Sequence, residues 1–121
     1  MTFSEIYKKL VELGYKKPKG DYTYDDRKYA TFSRNTYSVT VFMDSDFNIL
    51  NLSFQYVNRN GNFTRLVTTS DWTSLRIMSD EEFMDIISRI DIRKMSKYPV
   101  DRMYVVLRNI TNERALDALE G

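Results

Sequence analysis

Few residue types in this 121-residue chain could do chemistry, because it holds neither Cys nor His. Their absence removes thiol nucleophiles, Ser-His and Cys-His catalysis, the usual structural zinc sites and His-held haem. Carboxylates, lysines, hydroxyls and tyrosines remain. Asp44-x-Asp46-x-Asn48 copies the opening of an EF-hand calcium loop. Position six of that loop would be Ile49 instead of Gly, and position twelve Gln55 instead of Glu. The spacing fits a polar hairpin turn better. Asp26-Arg27-Lys28, with Asp21 or Asp25 upstream, has the acid-x-Lys form of metal-dependent nucleases. Two carboxylates would hold Mg²⁺ beside a Lys that stabilises developing charge. The triplet precedes the expected sheet instead of lying at its centre, which favours a solvated loop. Asp80, Glu81, Glu82 and Asp85 could pair as acid and base, but capping and helix-dipole complementarity account for the first three. An apolar cleft that would separate two carboxylate pKa values has no sign in the sequence. No catalytic residue, metal or cofactor is expected.

Binding chemistry is better represented. Lys16, Lys17 and Lys19 flank Tyr15, Tyr22 and Tyr24, and cations with flat rings can hold phosphates and stack on bases. Nine Tyr and seven Phe supply an aromatic surface that serves protein recognition equally well. Tyr, Trp, Met and Arg bury much area for few lost rotamers, which makes them interface anchors. Tyr22, Tyr24, Arg59 and Gln55 are the expected partner-binding residues, with Tyr29, Tyr56 and Trp72 as further candidates. The net charge of +1 hides a basic start, an acidic stretch over 71–92 and a mildly basic end. Such a pattern steers a charged partner of either sign, and it lacks the basic excess of a dedicated nucleic-acid binder.

The elements that must position these residues follow from period and punctuation. Thr2-x-x-Glu5 is a capping box, and Phe3, Ile6, Tyr7, Leu10 and Leu13 follow at helical spacing until Gly14. After the breakers Pro18 and Gly20, residues 28–34 read as a strand. Residues 36–43 and 49–57 alternate in period two, and 63–69 is rich in Thr and Val. The turns are Asp44 to Asn48 and a segment containing Asn60-Gly61. Four antiparallel strands result, with one face buried and one left to solvent or a partner. Ser79-x-x-Glu82 opens a second helix carrying Phe83, Ile86, Ile87 and Ile90, and Pro99 stops it. The run 102–107 reads as a fifth strand, and Thr111 as the cap of a short helix over 112–120.

The expected fold is one α+β domain over 1–121. It has an antiparallel sheet of about five strands, two main helices packed on one face and a short C-terminal helix. The N-terminus lacks the basic and apolar regions of a signal peptide, and no apolar run approaches membrane-span length, so a cytoplasmic protein without membrane contact is expected. In size, Tyr/Asn/Asp-rich composition and want of catalytic residues, the chain resembles the small accessory proteins with which bacteriophages and mobile elements inhibit host machinery, anti-CRISPR proteins among them. The resemblance is one of character and transfers no residue. It implies a non-catalytic inhibitor that binds a host protein. A nucleic-acid-binding regulator using Lys16, Lys17 and Lys19 is the alternative, and a small metal-dependent nuclease using Asp21, Asp26 and Lys28 is a further one.

Overall fold

The computed structural model describes residues 1–19, 23–24, 27–69 and 78–120. The first element, α1, spans Phe3–Glu12. Its capping box is complete: Thr2 Oγ1 accepts from the Glu5 N–H at 3.2 Å, and Glu5 Oε1 accepts from the Thr2 N–H at 3.4 Å. Gly14, at φ +103°, closes the other end. The Tyr15 N–H donates to Leu10 O and the Gly14 N–H to Val11 O, each at 3.0 Å, which is the Schellman pattern. That turn drives Tyr15 into the core beside Ile6 and Leu10.

Five strands follow in meander order: β1 Thr23–Tyr24, β2 Arg27–Arg34, β3 Tyr37–Met43, β4 Ile49–Val57 and β5 Phe63–Thr68. Every neighbouring pair is antiparallel, so short hairpin connections suffice. The register sets side chains in rows across the sheet. Phe32, Val39, Phe54 and Val67 share one row, and Ala30, Val41 and Leu52 another. These rows belong to the same core as Ile6 and Leu10. The Tyr7 ring meets Phe32 edge-on at 5.3 Å. On the opposite face the rows are polar: Thr31, Thr40, Ser53 and Thr68, then Ser33, Ser38, Gln55 and Arg65.

Helix α2 spans Asp80–Ser88, and Ser79 Oγ accepts from the Glu82 N–H at 3.1 Å. Phe83, Met84, Ile86 and Ile87 are buried. A 3₁₀ helix over Ile92–Lys97 leads to α3, Val100–Glu120.

This last helix overturns two expectations. Residues 102–107 are not a strand, and Thr111 does not cap a separate helix over 112–120. Met103, Leu107 and Ile110 recur at helical spacing and are buried, so period 3.6 prevails over the local β propensity of Val105 and Val106. Thr111 sits within the helix, its hydroxyl donating to Leu107 O at 2.9 Å. Pro99, expected as a stop, precedes the first helical residue, and its carbonyl accepts from the Met103 N–H at 3.0 Å. Beyond Ile110, α3 is tied to α2 by charge. Arg114 Nε reaches Asp85 Oδ2 at 2.6 Å, and Arg89 Nη1 reaches Asp117 Oδ2 at 2.9 Å and Glu113 Oε1 at 3.4 Å. Among the described residues, no helix is long and apolar enough to cross a membrane.

Candidate partner-binding face

The polar face of the sheet differs from the open surface that its alternation predicts. Its central side chains are buried and bonded to one another. Gln55, 5 % exposed, donates from Nε2 to Ser38 Oγ at 3.0 Å and to Thr40 Oγ1 at 2.6 Å. Ser53 Oγ, fully buried, donates to Gln55 Oε1 at 3.3 Å, and the Thr31 and Thr40 hydroxyls lie 3.1 Å apart. Cross-strand register places these groups opposite one another, so the network follows directly from the pairing of β2, β3 and β4. A buried amide and its hydroxyls are inexpensive only when satisfied, and here they satisfy each other.

Above this floor lies a groove of about 520 Å³. Tyr29, Phe42, Phe63 and Arg65 line it, together with Lys28, Thr31, Thr40 and Gln55. Phe63 is 62 % exposed, and Tyr29 also lies open to solvent. The Lys28 ammonium is engaged elsewhere, 3.7 Å over the Phe47 ring. Arg65 is exposed and forms no ion pair among the described residues. The described lining therefore contains aromatic rings, hydroxyls, an amide and cations, with no carboxylate.

Both flanking turns are fixed by one device. Asp44 Oδ1 accepts from the N–H groups of Asp46 and Asn48, each at 2.9 Å, and Oδ2 accepts from Asn48 Nδ2 at 3.0 Å. The Asn48 side chain and backbone hold the Asp44 carboxyl below its ordinary pKa. The calcium-like spacing is thus a turn whose first carboxylate caps its own loop. Asn58 does the same for Asn60 and Asn62, at 2.9 and 3.0 Å, and Gly61 at φ +80° takes the left-handed position. Arg59 stands exposed on this turn.

The expected site residues are therefore not all together. Gln55 lies in the groove floor with its amide committed, whereas Arg59 is at the β4–β5 turn. Tyr24 is in β1, paired with Arg27, and Tyr22 lies outside the described residues. So do Trp72, Asp21, Asp25 and Asp26. Lys16, Lys17 and Lys19 are exposed, and the Lys16 N–H donates to Ser33 O at 2.8 Å, which sets the loop beside β2. Behind that loop, Arg34 donates from Nη1 to Gly14 O at 3.4 Å. Burial raises the Tyr15 pKa against the opposing charge of Arg34.

Tyr37 and Asp85 are held by contacts within the fold. Burial, helped by Tyr56, pushes Tyr37 up to about 12, and its hydroxyl donates to Tyr98 O at 2.7 Å. Burial also pushes the Asp85 carboxyl up, but the bonds and charges of Arg114 and Arg89 outweigh this and hold it below the ordinary range. No group of three or more carboxylates able to hold a metal occurs among the described residues. Sequence reasoning missed Phe42, Phe63 and Arg65. Their signal was present, since Phe63 and Arg65 stand two apart in a strand and so share a face. No protein-family model, no curated protein and no solved structure matches this chain.

Proposed function

We propose that this chain is a non-catalytic protein-binding module whose partner seats on the polar face of the sheet. The observation that carries the reading is the groove of Tyr29, Phe42, Phe63 and Arg65 over the Gln55 network. A satisfied polar floor gives a rigid base, and exposed rings with an arginine that forms no ion pair among the described residues are the types that anchor interfaces. Arg59, exposed on the β4–β5 turn, and Tyr24 are included as contact residues in this proposal, and the partner is a host protein that the chain inhibits by binding it. The test is capture from host lysate with the immobilised full chain, compared with a Phe63→Asp bait of unchanged circular dichroism. A protein retained by the first and lost with the second supports the reading. Equal retention by both refutes it.

A second reading is favoured by the exposure of Lys16, Lys17 and Lys19 without ion pairs among the described residues. These lysines would bind nucleic acid through phosphates, and binding would then fall steeply with salt. A salt-insensitive interaction would exclude it.

A further inference from the structure

Helix α3 has a second stripe that the monomer does not use. Its buried side is Met103, Leu107 and Ile110, continued by Arg114 against Asp85. On the side turned away, Arg102, Val105, Asn109, Asn112, Leu116 and Leu119 are all exposed. Val105 is 38 % exposed, Leu116 59 % and Leu119 84 %. At about 100° per residue these six fall on one strip along the helix. They recur at alternating three- and four-residue intervals, the spacing of a helix-pairing seam.

The order of the six is what identifies the occupant. The intervals read the same from either end, and so does the chemistry of the central four: apolar, Asn, Asn, apolar. A stripe of this kind complements an antiparallel copy of itself, as a two-fold interface requires. With the axis between Ile110 and Thr111, Val105 meets Leu116 of the second copy, and Asn109 meets Asn112. The same axis brings Arg102 beside Leu119 and Glu120 of the second copy. Arg102 and Glu120 are exposed and form no ion pair within the monomer among the described residues, so their charges are left for each other. A parallel arrangement would instead set Arg102 against Arg102. Facing Asn side chains in the middle of a seam fix its register, because a slipped pairing strands their amides against apolar groups.

We propose that this chain forms a two-fold homodimer through antiparallel pairing of α3, with Val105–Leu116 and Asn109–Asn112 layers and Arg102–Glu120 pairs at the ends. The proposal is independent of the sheet-face reading, since α3 does not line the groove.

Sedimentation of the full chain tests it first. A monomer–dimer equilibrium is expected below about 1 mM, weakened at least about tenfold by Leu116→Arg. Arg102→Glu and Glu120→Arg should each weaken it, and the double variant should restore it, with helicity unchanged throughout. The absence of native Cys permits a direct check of direction. A Val105→Cys chain mixed with a Leu116→Cys chain should give the mixed disulfide in preference to either self-linked product. A monomer at every concentration, a dimer indifferent to Leu116→Arg, failure of the charge swap to restore pairing, or dominance of the Val105→Cys self-linked product would each overturn the proposal.

Discussion

Gln55→Ala should destabilise the fold by about 2–4 kcal/mol, although glutamine in an alternating strand usually faces water. The figure follows from the partners of its amide. Nε2 donates to Ser38 Oγ at 3.0 Å and Thr40 Oγ1 at 2.6 Å, and each such bond contributes about 1 kcal/mol net. The Ser53 contact, at 3.3 Å, is long for a bond between oxygens and contributes less than either of these. Loss of its acceptor leaves the buried Ser53 hydroxyl without that partner, which adds up to about 2 kcal/mol once water entering from the groove is allowed for. Urea denaturation measures the sum as a shift of midpoint at unchanged slope. A loss under about 0.5 kcal/mol, the range of ordinary surface substitutions, would refute the reasoning. Gln55 would then be a free contact residue instead of part of the floor.

Leu10→Ala and Ile87→Ala should each cost about 2–5 kcal/mol in the same assay, as deletions from a packed core do. Negligible losses in both would remove α1 and α2 from the core. Because Asp85 is held below the ordinary carboxylate range, the unfolded chain binds its proton first, and the stability from its pairs with Arg114 and Arg89 is present above that range. It should be lost as pH falls through about 4 and below. Melting temperatures across pH should therefore converge for the wild type and Asp85→Asn in acid, and a constant gap would contradict the assignment. Replacing Lys16, Lys17 and Lys19 together by Gln should leave the melting temperature essentially unchanged, since all three are exposed and unpaired among the described residues. A large drop would mean that the loop carries structure beyond its backbone bond to Ser33.

The parts legible in the sequence were those specified locally. Thr2, Glu5 and Gly14 announce both ends of α1 because caps and the Schellman turn are made by residues within a few positions of each other. The meander was legible through period two and the polar turns at Asp44 and Asn58. Residues 102–107 misled because Met103-Tyr104-Val105-Val106-Leu107 is a short apolar run, which period alone cannot assign. The helical spacing emerges only when Ile110 and Arg114 are read with it. The site was harder still. Ser38, Thr40, Ser53 and Gln55 have the composition of a solvated face, and their burial depends on register across three strands. Phe63 and Arg65 come to line one groove with Tyr29 and Phe42 only once β5 is set beside β4. None of these relations is local in the chain.

Partner recognition by the polar face is the central claim, and titration calorimetry with the captured protein tests it most directly. Phe63→Ala and Arg65→Ala should each weaken binding by at least about 1 kcal/mol, roughly fivefold, as interface anchors do. Tyr24→Ala and Arg59→Ala should act in the same direction, and the triple lysine variant should have less effect than any of them. Unchanged affinity for Phe63→Ala and Arg65→Ala, with binding abolished in the triple lysine variant, would contradict the account and move the site to the loop beside β2.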